Sequence, residues 1–276
     1  MSHRHPFLER TAVAVLILFA ASGCAQPAVA NEVTYVGSDF AFEGPSTIPA
    51  GLTTIAIDNQ GQEAHQAVLI RLGEGQTIEE AMATTEDSPN GLPQGVVFEG
   101  GPVASMPGQT VATTMNLEPG NYVIVCEIPS PDGMTHTEKG MVMPLEVTGD
   151  ASNAAMAPAD VTVGLTEYAF AGAELSAGTH AIRMENNGEE VHEALLIKLE
   201  EGKTAMDFAA AFEPGAPPGP PPGSIVGGVG GISPGKAAQF EATFDAGNYA
   251  WICFYPAPDG QPHLTKGMVQ EFTIAE

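Results

Sequence analysis

An internal repeat restricts the possible folds of this chain more than any other feature. The segment "IDNQGQEAHQAVLIRLGEG" at 57–75 recurs as "MENNGEEVHEALLIKLEEG" at 184–202, and matched residues lie 127 positions apart. The matched pairs include Gly51/Gly178, His65/His192, Cys126/Cys253, His136/His263 and Met141/Met268. A constant spacing over so long a stretch predicts two structural units of one kind, placed one after the other.

The repeat also sets the predicted domain boundaries. We define copy one as residues 33–149 and copy two as residues 160–276, each of ordinary domain size. Near their starts, "DFAF" and "EYAF" match at a spacing of 128, one residue longer than elsewhere. The segment between the copies, residues 150–159, is small and polar, which is typical of a linker.

Within each copy the patterns are those of short β-strands. "HQAVLIRL" and "HEALLIKL" are apolar runs too short for an ordinary helix, and "NYVIVC" and "NYAWIC" suit central strands buried on both faces. Turn signals such as "DNQG" and "EPGN" bound these runs. The sequence therefore predicts an all-β chain of two tandem β-sandwiches. One short helix is expected in each copy, at 77–84 and 204–212, followed by a long Gly/Pro-rich loop at 85–108 and 213–235.

The first residues have the pattern of an export signal. Arg4 and Arg10 precede an apolar run from Ala12 to Ala21, which is too short to span a bilayer. The following "AASGC" resembles the lipobox of bacterial lipoproteins, which implies that residues 1–23 are removed and that Cys24 is lipidated. Residues 24–32 would then form a tether. The alternative is an ordinary secretory signal in which Cys24 is incidental. Either reading predicts an exported protein, attached to the membrane at most through a lipid.

The charge of the chain excludes one class of function. Nine basic residues stand against 34 acidic ones, giving a formal net charge of −25. A surface that binds nucleic acid by neutralising phosphates is therefore not expected. Such an acidic chain would attract a basic redox partner, although the charge could equally serve solubility alone.

Each copy contains the same four candidate ligands, in the same order and at the same spacing. These are His65, Cys126, His136 and Met141 in copy one, and His192, Cys253, His263 and Met268 in copy two. Two imidazoles and a thiolate, with a weak axial thioether, form the ligand set of a blue copper site, whereas zinc more often takes four strong ligands. The sequence thus predicts two copper ions, both of type 1.

At these residues both copies resemble the cupredoxins, the family of plastocyanin and azurin. "STIPAGLTTIAIDNQGQEAHQAVL" is similar to the family's strand, turn and first histidine, and "YVIVCEIPSPDGMTHTEKGMV" to its ligand loop. The resemblance implies Greek-key β-sandwiches with the first histidine on an inner strand and the other three ligands on one loop. Two departures are that the cysteine-to-histidine stretch is closer in length to that of copper nitrite reductases, and that Gln66 or Glu193 follows the first histidine.

The leading functional prediction is an exported electron-transfer protein that is not an enzyme. Catalytic copper centres need further histidines, and the cysteines have no histidine neighbour. His180 is the one histidine after the predicted signal that is not assigned to a site. Two alternatives stay open: copper storage or delivery with the same ligands, and a metal-free β-sandwich for adhesion or assembly. A disulfide between Cys126 and Cys253 would require the two metal sites to meet.

Overall fold

The computed structural model describes residues 1, 30–83, 92–151, 154–172, 174–213, 215–217 and 219–275. Cys24 and the predicted signal peptide lie outside the described residues, apart from Met1. Among the described residues, no helix is long and apolar enough to cross a membrane.

In the part of copy one that the structure describes, together with the residues just before it, there are nine strands and one short helix. The strands are β1 (Asn31–Ser38), β2 (Ala41–Glu43), β3 (Thr47–Pro49), β4 (Gly51–Asn59), β5 (Val68–Arg71), β6 (Val97–Gly100), β7 (Thr110–Leu117), β8 (Gly120–Val125) and β9 (Val142–Thr148). The helix α1 (Ile78–Met82) lies between β5 and β6.

Copy two has the corresponding order of elements. Its strands are β10 (Val161–Thr166), β11 (Ala169–Gly172), β12 (Gly178–Asn186), β13 (His192–Leu199), β14 (Gly223–Ile232), β15 (Ala237–Phe244), β16 (Gly247–Ile252) and β17 (Val269–Ile274). The helix α2 (Ala205–Ala210) follows β13, and a 3₁₀ turn spans His263–Lys266.

The all-β fold class predicted from the sequence is confirmed. The described strands form two sheets, in the orders β11-β10-β12-β15-β7-β4-β1-β2 and β17-β16-β13-β14-β6-β5-β8-β9-β3. Alternate residues of facing strands, such as Ile55 on β4 and Ile124 on β8, are fully buried and belong to one apolar cluster between the sheets. This is the burial pattern of a sandwich. The boundaries given above for the two domains remain predictions.

Both short helices are confirmed, and each begins with a capping box. Thr77 accepts the N–H of Glu80 while the Glu80 carboxylate accepts the N–H of Thr77, and Thr204 and Asp207 repeat the arrangement. Such reciprocal bonds satisfy backbone donors that the first helical turn leaves unpaired. The helices start one residue later than expected, at Ile78 and Ala205.

Part of each predicted Gly/Pro-rich loop is a strand, and residues 85–91, 214 and 218 of these ranges lie outside the described residues. β6 and β14 lie inside the ranges 85–108 and 213–235, and both pair with neighbouring strands. The glycines of β14 made this strand resemble a loop. At Gly228 (φ +142°) a β-carbon would stand 2.0 Å from the carbonyl oxygen of Ala194, so the close approach of the two backbones requires glycine there.

Both sheets run from one copy into the other. β7 pairs with β15 through Met115 and Ala238, and β6 pairs with β14 through Glu99 and Ile232. At the second junction the N–H of Ser233 also donates to the carbonyl of Phe98, at 2.8 Å. Strand edges that would otherwise be open are thereby covered by the other copy.

A buried ion pair lies at this junction. Glu99 on β6 is only 2% exposed, and its carboxylate lies 2.8 Å from the ammonium of Lys236 and 3.3 Å from the guanidinium of Arg71. Burial raises the pKa of Glu99, while Lys236 and Arg71 oppose that rise. The ion pair between Glu99 and Lys236 therefore connects the two copies, and the Lys236 ammonium stabilises the buried Glu99 carboxylate.

Replacing Lys236 with methionine should lower the free energy of unfolding by about 2–3 kcal/mol, because it leaves the buried Glu99 carboxylate with Arg71 alone. Urea unfolding of the metal-free protein measures this loss. The matched control is Lys203→Met at an exposed position, which should change stability by less than about 0.5 kcal/mol. Equal stability of the two variants would contradict a structural role for the pair.

Candidate metal centres

The predicted ligands lie at the ends of inner strands and on one connecting loop in each copy. His65 stands between β4 and β5, where its backbone exchanges hydrogen bonds with Ser105 at 2.7 and 3.0 Å, and His192 is the first residue of β13. Cys126 and Cys253 directly follow β8 and β16. The resemblance implied a first histidine on an inner strand, which holds for His192, whereas His65 lies before β5 and has only an isolated bridge to Ser105.

Backbone hydrogen bonds fold each ligand loop back on the cysteine. In copy one, Thr137 N–H donates to the Cys126 carbonyl at 2.9 Å, and Met141 N–H donates to the His136 carbonyl at 2.8 Å. In copy two, Leu264 N–H donates to the Cys253 carbonyl at 2.9 Å, and Met268 N–H donates to the His263 carbonyl at 3.0 Å. The same bonds in both copies bring the second histidine beside the thiol.

The structure gathers three predicted ligands of copy one into a group that we call site one: His65, Cys126 and His136. The Nδ1 atoms of the two imidazoles are 3.0 Å apart, and Cys126 Sγ lies 3.3 Å from Nδ1 of His136. All three residues are fully buried. The backbone N–H of Gln66 points at the sulfur, at 3.4 Å.

Copy two contains the corresponding group, site two: His192, Cys253 and His263. Its two Nδ1 atoms are also 3.0 Å apart, and its sulfur lies 3.4 Å from Nδ1 of His263. These residues too are fully buried, and the N–H of Glu193 donates to the sulfur at 3.4 Å. Two copies that differ at many positions thus build the same three-atom cluster.

The predicted axial methionines lie close to these groups along the chain. Met141 and Met268 are fully buried and immediately precede β9 and β17. Met268 belongs to the same apolar cluster as Cys253, and its carbonyl accepts the Cys253 N–H at 3.2 Å. Axial ligation by either methionine stays a prediction. His180 lies apart from both sites and bonds to the carbonyl of Ser176.

Four carboxylates that sequence reasoning did not identify contact the far side of the imidazoles. In site one, Nε2 of His65 lies 2.8 Å from Asp39, and Nε2 of His136 lies 3.0 Å from Glu63. In site two, the corresponding pairs are His192 with Glu167 at 3.4 Å and His263 with Glu190 at 2.9 Å. Each histidine therefore has one nitrogen toward the cluster and the other toward an acid.

The repeat contained the signal that would have identified these acids. Asp39 and Glu167 are the first residues of the matched "DFAF" and "EYAF", and Glu63 and Glu190 lie two residues before the first histidine of each copy. An acidic residue kept at both positions stands out only when acids are compared between copies, because acids are common throughout this chain.

The hydrogen bonds of the imidazoles indicate that the nitrogen and sulfur atoms of site one suit a cation. A neutral imidazole carries one N–H and one lone pair, and a carboxylate can only accept. If both Nε2–H groups of site one donate to Asp39 and Glu63, both Nδ1 lone pairs face each other at 3.0 Å beside a sulfur. Such facing lone pairs repel, and a shared cation relieves the repulsion. Two imidazoles and a thiolate suit copper.

Burial shapes the acidity of these groups. It raises the pKa of Cys126 to about 12 and that of Cys253 well above the ordinary value, since a thiolate loses its hydration there. Burial also lowers the pKa of His136 and of His192, which favours neutral imidazoles. Neutral imidazoles are the form that binds metals, and a bound cation would stabilise the thiolate.

An aromatic ring covers the second histidine of each site. Phe40 packs edge-on against His136 with ring centroids 4.8 Å apart, and Tyr168 does the same against His263 at 5.1 Å. An ammonium group lies over each of these rings. Lys139 Nζ is 4.8 Å from the centre of the Phe40 ring, and Lys266 Nζ is 5.4 Å from the centre of the Tyr168 ring. Both of the covered histidines, His136 and His263, are fully buried.

Comparison with solved structures gives distant similarities to copper proteins. Auracyanin A, a "blue" copper protein from Chloroflexus aurantiacus, shares 21% identity over 42% of this chain and 98% of its own, with a TM-score of 0.30. A Cu-containing nitrite reductase from Thermus scotoductus shares 14% identity over 88% of this chain and 61% of its own, with a TM-score of 0.25. A blue copper oxidase from Nitrosomonas europaea shares 14% identity over 89% of this chain and 86% of its own, with a TM-score of 0.26.

No protein-family model and no curated protein matches the chain. The two-sheet fold and the two His–Cys–His groups are seen in the strand pairing and side-chain distances of the structure itself.

The prediction that the chain is not an enzyme is wrong. Two of the similar structures are a nitrite reductase and an oxidase, which are enzymes. The physical reason is that copper held by two imidazoles and a thiolate would pass electrons in the same way whether the acceptor is a partner protein or a catalytic centre. Counting the remaining histidines of one chain does not separate these classes.

Both cluster cysteines should resist thiol reagents in the folded protein, because neither side chain is exposed. Protein produced without residues 1–24 retains Cys126 and Cys253 as its two cysteines. At pH 8 without denaturant, we expect negligible reaction of the folded protein with an aromatic disulfide reagent. Over the same time, urea-unfolded protein should react at both cysteines and release two equivalents of the reagent's thiol. Rapid reaction of the folded, metal-free protein would contradict the burial of the sites.

Proposed function

We propose that this chain is an exported copper protein that transfers electrons through two type 1 sites, one in each copy. The observation that supports the proposal most strongly is the buried His–Cys–His cluster, built twice with the same Nδ1 and sulfur atoms facing each other. Bound copper would supply one-electron chemistry by cycling between Cu(I) and Cu(II).

The residues of the chain divide the work of holding the ion. Cys126 and Cys253 would provide the strong sulfur ligands, and His65, His136, His192 and His263 the nitrogen ligands. Met141 and Met268 are proposed as weak axial ligands. Because the sites are buried and the loops are fixed by backbone bonds, the donors would move little between the two oxidation states, which favours fast electron transfer.

Features of the clusters favour electron transfer over the two alternatives. A storage or delivery site must release its ion, whereas these ligands are fully buried and covered by Phe40 and Tyr168. A metal-free sandwich for adhesion would have no need for two buried imidazoles beside a buried thiol in each copy, since burying polar groups costs free energy.

We also propose export and anchoring through a lipid on Cys24, on the strength of the signal-like segment at 1–23. The redox partner is proposed to be a basic protein. Asp39, Glu63 and Asp132 lie near site one and are partly exposed, so their charges would steer a cationic surface toward that site.

Copper-loaded protein without residues 1–24 should show a strong visible band that ascorbate bleaches and an oxidant restores. Cys126→Ser and Cys253→Ser should each remove about half of the band, since each deletes one copper–sulfur bond. The matched control is Met134→Leu, at an exposed position of the first ligand loop, which should leave the band unchanged.

Absorption and paramagnetic resonance spectra, recorded with a copper analysis, provide the measurement. Absence of a strong visible band, or a band that no oxidant restores, would refute electron transfer at type 1 sites. Two bound copper ions that exchange rapidly with a chelator would instead support storage or delivery.

A further inference from the structure

We infer that four carboxylates are positioning residues of the two metal centres, each holding one imidazole so that its Nδ1 faces the ion: Asp39, Glu63, Glu167 and Glu190. The inference deepens the proposed function and rests on it, because it concerns how the chain prepares its ligands for copper. A carboxylate on the outer nitrogen of a metal-bound histidine fixes the tautomer and ring orientation and increases ligand basicity.

The hydrogen-bond logic assigns the same role to all four acids. A carboxylate accepts from Nε2–H, which leaves the lone pair on Nδ1. In site one the two Nε2–carboxylate contacts are 2.8 and 3.0 Å, and the two Nδ1 atoms they leave free both point into the cluster. Site two repeats the pattern with glutamate in place of Asp39. An acid on the outer nitrogen of all four histidines points to the acids as the groups that select this tautomer.

The acids on the first histidine of each site are themselves held by the backbone. The Asp39 carboxylate accepts the N–H of Gln62 at 3.0 and 3.1 Å and that of Glu63 at 3.3 Å. Glu167 accepts the N–H groups of Glu189 and Glu190 in the same way. Bonds of this kind fix the carboxylate oxygen before any metal binds.

A glycine in each copy leaves room for these contacts. A β-carbon on Gly61 would lie 2.4 Å from Asp39 Oδ1 and 2.5 Å from His65 Nε2. On Gly188 it would lie 2.4 Å from Glu167 Oε1 and 2.9 Å from the imidazole of the first histidine of site two. Both copies therefore use glycine where the turn crosses the acid–imidazole contact.

The four acids are more exposed than the histidines they contact, so a role in positioning can be tested apart from a role in folding. The four histidines are fully buried, whereas the side chains of Asp39, Glu63, Glu167 and Glu190 are 27%, 32%, 38% and 18% exposed. A partly exposed acid can be removed without opening a cavity in the core, so its loss should act mainly on the imidazole.

The test compares Glu63→Ala, Glu63→Gln and Gly61→Ala in copper-loaded protein without residues 1–24. Glu63→Ala and Gly61→Ala should each weaken Cu(II) binding at site one by about 10–100-fold in competition with a chelator. Glu63→Gln should recover part of the loss, because its amide oxygen still accepts from Nε2–H. Site two is the internal control, and Glu74→Gln at an exposed turn is the control for removing one negative charge.

A second readout does not depend on copper affinity. In ¹H–¹⁵N spectra of the metal-free protein, His136 should show a slowly exchanging proton on Nε2, and Glu63→Ala should abolish that signal while the corresponding signal of His263 persists. Wild-type affinity in both alanine variants, or no protected Nε2 proton in the wild type, would overturn the inference. Failure of the wild type to bind copper, with the protected protons present, would refute the proposed function and leave the positioning of the imidazoles standing.

Discussion

Two imidazole nitrogens that turn their lone pairs toward each other beside a buried sulfur are stabilised by a positive charge between them. This condition applies in both copies when the outer nitrogens carry the protons, because His65 and His136 on one side, and His192 and His263 on the other, place their Nδ1 atoms 3.0 Å apart. The surrounding structure satisfies it by giving the outer nitrogens to acids and by ending an inner strand at each cysteine. Neutral imidazoles and a buried thiol then form a preorganised receptor for a soft cation.

The two copies provide one framework for both clusters. Strands β6 and β14 pair at the junction, and the Glu99–Lys236 ion pair crosses it. Because both sheets run through the junction, distortion of one copy would be transmitted to the strands that hold the other site. An electron carrier and a redox enzyme would both benefit from such rigidity, since small displacements of the ligands on oxidation and reduction keep electron transfer fast.

The sequence predicted the strands and the cluster residues for the same reason, namely that they recur. His65, Cys126 and His136 each have a counterpart at a fixed spacing, and the runs around them alternate or are wholly apolar. The strand Gly223–Ile232 was missed because its glycines resemble a loop, although they serve close contact between backbones. The acids were missed because pairing of Asp39 with His65 depends on the turn that brings them together, and composition does not show it. Much of the junction between copies consists of paired backbone edges, which leave little trace in side-chain patterns.

We propose that each copy binds one copper ion through two Nδ1 atoms and one sulfur. The most direct measurement is a crystal structure of the copper-loaded protein with anomalous diffraction recorded on both sides of the copper absorption edge. Two copper peaks are predicted, one among His65, Cys126 and His136 and one among His192, Cys253 and His263. Copper bound elsewhere, or bound through Nε2 with the carboxylates displaced, would contradict the account.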